Sequence, residues 1–432
     1  MCVNMFQSIA KISLGVASIA ITNPASGQAV LVENEVKLAP AAGSDLDFGF
    51  SVDREGDVLV VGQPGDGGGS VVVYRSSGTV WQVEQTLTTS NVNASTFGWS
   101  VAIDDNRIVV GSPEDQGSAT FFAFDGVQWV ETATYGSLTD NKLGWSVAID
   151  GSYAVVGAPA GGQGSATVFE QTPSGWVEVA VLQPSDPNDS EFGTSVSISA
   201  DRIAVGSPED TGSVYVFSRQ GSMWPIEQLI PTPSGQDDSF GESVAIDGAR
   251  LLVGASNGGA NGLAYSFLGS PWVLEQTFAP FGPGDETAFG RSVDLAGNLA
   301  LIGAPENING TAFLFKNTQN GWNGQLRLRD PGNENGDMVG SSVALWNATA
   351  AVGAPQDDDL SDGAGAVLIF GLTGDCEADI DGNGAVDLAD LNLLLGSFGS
   401  GCDGCPQDTN GDGVVNLADL NAVLANFGNL CN

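Results

Sequence analysis

Short apolar runs alternate with clusters of polar turn residues along most of the chain, and the alternation keeps a register. In one copy, Phe97-Gly98-Trp99-Ser100-Val101 leads into an in-out pattern that reaches Ile103, and Asp104-Asp105-Asn106 supplies a turn. A β-branched run from Arg107 to Val110 follows and closes on Gly111-Ser112-Pro113, with Glu114 to Gly117 as the next turn. Ser118 to Phe124 is rich in Thr and Phe, and Trp129-Val130-Glu131-Thr132-Ala133 makes a fourth apolar-polar run. Period-two alternation bounded by Gly, Asp, Asn and Pro predicts four short β-strands in this stretch.

The stretch recurs seven times. Its openings are Phe48-Gly49, Phe97-Gly98, Leu143-Gly144, Phe192-Gly193, Phe240-Gly241, Phe289-Gly290 and Val339-Gly340, each followed by x-Ser-Val. The matching second halves carry Gly62, Gly111, Gly157, Gly206, Gly254, Gly303 and Gly353. Successive openings lie 49, 46, 49, 48, 49 and 50 residues apart. Four strands per unit at a period near fifty predict an all-β, seven-bladed β-propeller over residues 30–371. The glycines allow close backbone approach where blades converge, the adjacent Phe fills the wedge, and Pro ends the second strand because it cannot donate to the ladder. Tryptophans at the fourth-strand starts (Trp81, Trp176, Trp224 and Trp272) read as outer-blade packing in preference to sugar stacking. The seventh unit ends at Val367-Leu368-Ile369-Phe370 with no Trp-type fourth strand, whereas Glu33-Asn34-Glu35-Val36-Lys37-Leu38 resembles one. An N-terminal strand is therefore expected to complete the last blade and remove the open sheet edge.

Charge narrows the partners. Lys+Arg number 13 against Asp+Glu 52, a formal net charge of -39, which sets aside nucleic acid and anionic membrane and points to cations. The absence of histidine removes the usual general base, the Ser-His and Cys-His nucleophile pairs and most zinc sites. Asp237 with Asp238 and Asp285 with Glu286 have the chemistry of glycosidase pairs, but similar acidic loops precede most blades, and repetition points to turns. Lys11, the apolar run Ile12 to Ile21 and small residues up to Ala29 read as an export signal over residues 1–29, cut after Ala29. That run is too short to span a membrane, so the mature chain is expected secreted, at the cell surface or in the periplasm, with no membrane span.

The seven Phe-Gly…Gly-Ala-Pro units resemble FG-GAP repeats, the blades of integrin α-chain propellers and many bacterial surface proteins. The resemblance implies a propeller that recognises a protein or glycan. Integrin-type blades often carry an Asp-x-Asp-x-Asp-Gly calcium loop between the first two strands. The turns here, such as Asp104-Asp105-Asn106, Asp150-Gly151-Ser152 and Asp247-Gly248-Ala249, are too short to wrap an ion that takes six or more oxygens. One loop differs, Gln356-Asp357-Asp358-Asp359-Leu360-Ser361-Asp362-Gly363, and it reads as a solvated acidic turn, with weak calcium chelation as the alternative.

After a short linker, 372–375, residues 376–432 form a small domain of two like halves. Asp379, Asp381, Asn383, Asp387 and Asp390 take the first, third, fifth, ninth and twelfth positions of one loop; Asp408, Asn410, Asp412, Asn416 and Asp419 take those of the other. Gly384 and Gly413 sit at the sixth position, and backbone carbonyls of Ala385 and Val414 supply the seventh ligands. This is the ligand order of an EF-hand loop, so two calcium ions are expected, the first held more tightly because its site has four carboxylates against three. Each loop enters a short helix with an apolar face, Leu388, Leu391, Leu394, Leu395 and Phe398 in one, and Leu417, Leu420, Val423, Leu424 and Phe427 in the other. The fold class is thus a propeller with a small all-α domain of paired EF-hand-like loop-helix units. The pair resembles type I dockerin, the module that docks onto cohesin. Where dockerins often place a Ser-Thr contact pair, this chain has Leu388-Ala389 and Leu417-Ala418, which makes any cohesin-like partner surface more apolar.

Cys376, Cys402, Cys405 and Cys431 flank the loops and helices and read as two disulfides in an exported domain. Three connectivities are open; Cys376–Cys431 with Cys402–Cys405 is favoured, and a four-Cys zinc site is the rival. The function that combines these features is exported, non-enzymatic recognition or adhesion, with a calcium-dependent tail for attachment. The alternatives are a dockerin-borne polysaccharide hydrolase or lyase and a purely structural cell-surface component.

Overall fold

A computed structural model describes the chain from Val30 to Ala425, apart from residues 41–46, 66, 79, 92, 116, 138–140, 210–211, 236–237, 283–286, 307–309, 319–320, 333–335, 360–363, 375–377, 379, 381–385, 387, 402–406 and 408–413. Seven antiparallel sheets follow one another, and their innermost strands touch all the way round, the first against the seventh included. These strands are Ser51–Glu55, Ser100–Asp104, Val147–Asp150, Ser195–Ser199, Ser243–Asp247, Ser292–Ala296 and Ser342–Trp346. This is a seven-bladed β-propeller. In the second blade the strands are Ser100–Asp104, Arg107–Ser112, Ser118–Phe124 and Trp129–Gly136, so the four predicted runs all form strands. The hairpin between the first and second strands has two residues in each blade, too few to wrap an ion.

The last blade is completed by Val30–Leu38, which lies beside Ala366–Gly374 in the order closing strand, third, second, first. The third strand runs on to Gly374, so residues 372–374 are strand where the sequence suggested a linker. Pairing the outer edge of this sheet with the N-terminal segment leaves no open end in the ring.

The repeated motif has a physical reason in the contact between blades. In each blade the Ser of Phe-Gly-x-Ser donates its Oγ–H to the carbonyl of the next blade's Phe-Gly glycine, at 2.7–2.9 Å in all seven places. The same carbonyl presses on the glycine of the second half: a Cβ on Gly62 would lie 2.0 Å from Gly98 O, and one on Gly353 2.0 Å from Gly49 O. Two backbones meet there with no room for a methyl group. The neighbouring Phe48, Phe97, Phe192, Phe240 and Phe289 are fully buried, packed against strands of the preceding blade and their own.

A third registered glycine escaped the sequence reading. Gly117, Gly164, Gly262, Gly310 and Gly365 each precede a third strand, Gly69 is the second residue of one, and all six bridge in parallel to the opening residue of the next blade. The signal was present, since a Gly stands at this place in every unit, but it resembles ordinary turn glycine. The fourth-strand tryptophans, Trp81, Trp129, Trp176, Trp224, Trp272 and Trp322, are buried, as the packing reading expects. Trp129 shows how they are held: its N–H donates to Gln85 Oε1 (2.8 Å) and its Nε1–H to Glu84 Oε2 (3.0 Å), both on the preceding blade.

The chain divides into two compact parts, one holding Glu35–Phe370 and the other holding Gly371–Asn432. The second part contains two nine-residue helices, α1 (Leu388–Gly396) and α2 (Leu417–Ala425), which touch each other. Its core is Ala378, Ile380, Val386, Leu394, Val415 and Val423, with Leu391 and Leu420 packed against it. The predicted apolar faces are only partly buried: Leu388, Leu395, Phe398, Leu417 and Leu424 are exposed. A nine-residue helix in so small a body has one flank covered, and apolar residues outside that flank stay in solvent.

Candidate functional site

The variable residue of Phe-Gly-x-Ser-Val stands just before each innermost strand, and its seven side chains form a tier at one end of the central channel. Round the ring they are Phe50, Trp99, Trp145, Thr194, Glu242, Arg291 and Ser341. Their backbone is fixed by the Ser-to-Gly bonds on one side and the ladder on the other, while the side chains change from blade to blade. Phe50 and Trp99 lie with ring centroids 4.6 Å apart, and Trp99 and Trp145 4.9 Å apart, tilted by 48° and 47°. Three consecutive blades therefore present a continuous, half-buried aromatic arc. Lys142 sits 5.0 Å over the Trp145 ring and flanks the arc with a cation. The next stretch of the tier is polar, with Glu242 paired to Arg291 and accepting from Ser256 Oγ–H.

Deeper in the channel, side chains of the innermost strands reach the backbone of the next blade. Asp53 Oδ2 accepts from Ile103 N–H (2.7 Å), Ser197 Oγ from Ile246 N–H (3.0 Å) and Asp294 Oδ2 from Leu345 N–H (2.5 Å). Two positions on, Asp104 accepts from Gly151 N–H (2.9 Å) and Asp247 from Gly297 N–H (2.7 Å). Burial pushes the Asp53 carboxyl up to about 7, against the pull of the Ile103 N–H, with Asp294 adding repulsion. Asp294 is raised by burial to about 6. The other oxygen of each carboxylate takes its own strand's next N–H, from Arg54 and Leu295 at 2.8 Å. Both oxygens of each are thus committed to the backbone, which suits fastening of blades better than proton transfer. Of the carboxylates with glycosidase chemistry, Asp238 is buried and accepts from Thr232 and Ser234 hydroxyls and from Phe240 N–H; Asp237, Asp285 and Glu286 lie outside the described residues.

In the acidic loop of the seventh blade Gln356, Asp358 and Asp359 are exposed, as a solvated turn requires, but Asp357 departs from that reading. Asp357 is buried, together with Asp330 and Asp337, which come from the segment joining the sixth and seventh blades. One oxygen from each lies within 4.8 Å of the other two. Lys37 of the closing strand enters the group, 2.7 Å from Asp330 and 2.5 Å from Asp357, and also pairs with Asp359. The sequence hides this because Lys37 and Asp330 are 293 residues apart and meet only through ring closure.

In the C-terminal part the described candidate ligands are Asp390, Val414, Asn416 and Asp419. Asp390 and Asp419, the twelfth residues of the two loops, are both fully buried. Asp390 Oδ1 accepts from Ile380 N–H at 2.7 Å, and Asp419 Oδ2 from Asn416 N–H at 2.8 Å. Val414 bridges to Gly401, and its carbonyl accepts from Asn416 Nδ2 at 3.0 Å. Asp379, Asp381, Asn383, Ala385, Asp387, Asp408, Asn410 and Asp412 lie outside the described residues, as do Cys376, Cys402, Cys405 and Cys431. Leu388 and Leu417 are 64% and 62% exposed, and Ala418 is exposed beside the latter.

The profile of the FG-GAP repeat matches residues 81–121, 135–169, 176–217, 226–267 and 322–370. The propeller is built from FG-GAP repeats. Several matches begin at or near a fourth-strand tryptophan and end in the third strand of the next blade, so the unit straddles the blade contact that the glycines make possible. No curated protein matches the chain. Among solved structures, one titled as the Mitotic Checkpoint Complex aligns with a TM-score of 0.50 at 11% identity, covering 83% of this chain and 97% of that one. The crystal structure of Saccharomyces cerevisiae Sqt1 aligns with a TM-score of 0.49 at 12% identity, covering 76% and 96%. At such identity the likeness speaks to fold alone. No helix among the described residues is long and apolar enough to cross a membrane.

Proposed function

We propose that this FG-GAP propeller is the recognition part of an exported protein, binding a glycan or protein ligand at the channel mouth. The observation that carries the reading is the contrast within each repeat. The Ser and Gly residues that lock the blades are the same in all seven, while the x residue between them differs and builds an aromatic arc beside a charged stretch. A rigid frame with a diversified rim is how a repeat fold makes a binding surface. Flat, partly exposed aromatic faces suit the apolar face of a sugar ring or an extended peptide side chain.

In the same reading, residues 376–432 are a dockerin-like module that binds two calcium ions and attaches the propeller to a cohesin-like or other protein. The twin buried aspartates Asp390 and Asp419 at loop ends, and the exposed Leu388 and Leu417 at helix starts, support it. The test is glycan-array and pull-down binding of the full chain, with and without calcium. Selective binding without turnover supports recognition; turnover of a bound glycan would replace it with the enzyme reading.

A further inference from the structure

We propose that Asp330, Asp337 and Asp357, where the ring closes, form a divalent-cation site fitted to calcium, and that the bound ion competes with the Lys37 ammonium. Oxygens around one calcium at about 2.4 Å can be at most about 4.8 Å apart, and the three carboxylates offer oxygens within that span. Asp337 gives a second, independent sign. It is 3% exposed, yet its carboxylate accepts no hydrogen bond and makes no ion pair among the described residues. A buried carboxylate without a partner is costly, and a cation removes the cost.

Comparison with another blade shows what has changed here. Asp238 occupies the corresponding place two residues before Phe240, as Asp337 stands two before Val339. At that blade contact the hydroxyls of Thr232 and Ser234 donate to Asp238. Thr232 follows the last buried fourth-strand residue, Ile230, by two; at the closing contact the residue two after Leu328 is Asp330. A hydroxyl donor has become a second carboxylate, and Asp357 adds a third. With Asp359 the group has four acids, three of them paired with the single ammonium of Lys37 and Asp337 beside them without an ion pair. The charge left over matches an added cation, and the number of carboxylates suits calcium, which accepts six to eight oxygens, better than magnesium. Asp359, with a third of its side chain exposed, gives the ion a way in from solvent.

The test is calcium binding by the full chain and by its Asp337→Asn and Lys37→Gln variants, using equilibrium dialysis and thermal melts. Asp337→Asn should bind one calcium fewer than the unaltered chain, and its propeller melt should lose the calcium-dependent rise. The difference is read between two proteins that share residues 376–432, so calcium held there cancels. Lys37→Gln, which removes the competitor, should bind this ion about tenfold more tightly. An unchanged calcium count in Asp337→Asn, or weaker binding in Lys37→Gln, would overturn the site. The second variant decides if the first fails to fold.

Discussion

The Ser342 hydroxyl donates to the Gly49 carbonyl at 2.8 Å across 293 residues, the seventh copy of a bond whose other six copies join neighbours in sequence. The ring thus closes on the same contact that builds it. A methyl group at Gly353 would meet that carbonyl at 2.0 Å and force the first and last blades apart. Gly353→Ala should cost about 3 kcal/mol by overpacking, whereas Ser342→Ala should cost about 1 kcal/mol for one lost hydrogen bond. Urea unfolding of the two variants gives the comparison, and the reverse order would contradict the account of the motif.

The closing strand makes a second prediction. Removal of residues 30–38 strips Val36 and Leu38 from the core shared by the first and last blades and bares the edge of Ala366–Gly374. The thermal midpoint should drop by several degrees and aggregation should become concentration-dependent, as an open edge invites pairing. An unchanged midpoint would mean that the ring does not depend on this strand.

Stability should fall as pH rises through the weakly acidic range. Burial lifts Asp53 and Asp294 from 3.8 to about 7 and about 6, so between those limits the folded chain holds protons that the unfolded chain has lost. Their contribution is present at low pH and lost as pH climbs through the folded values. Asp53→Asn keeps an acceptor for Ile103 N–H and removes the charge. It should flatten the profile between about pH 4 and 7, and a profile as steep as that of the unaltered chain would sink the assignment.

Calcium removal should unfold the C-terminal helices while leaving the strands. A core of six buried apolar residues is small, and in the proposed calcium module the metal would supply the missing folding energy. Chelator should erase the helical part of the far-ultraviolet spectrum, and Asp390→Ala should weaken calcium binding more than Asp419→Ala does. A spectrum indifferent to chelator would count against the calcium module.

Much of the ring was legible because repetition averages out local ambiguity: seven copies fix strand order, period and the two motif glycines. What stayed hidden is what does not repeat. Phe50, Trp99 and Trp145 were in view at the x position, but only the blade-to-blade geometry makes them one surface. Asp357 read as solvated because its loop is acidic, and its burial depends on Lys37 and Asp330, brought in by closure. The helix faces of the small domain were over-read, since periodicity marks apolar residues without saying how much neighbour there is to cover them.

The most direct test of recognition at the channel mouth is ligand affinity of the Trp99→Ala, Trp145→Ala double variant, using whichever glycan or protein the array and pull-down select. Both side chains are part-exposed and lie off the locking contacts, so the fold should persist. The account predicts at least about a tenfold loss of affinity, from roughly 1–3 kcal/mol of lost aromatic contact, with an unaltered thermal melt. Undiminished binding by the folded double variant would contradict it.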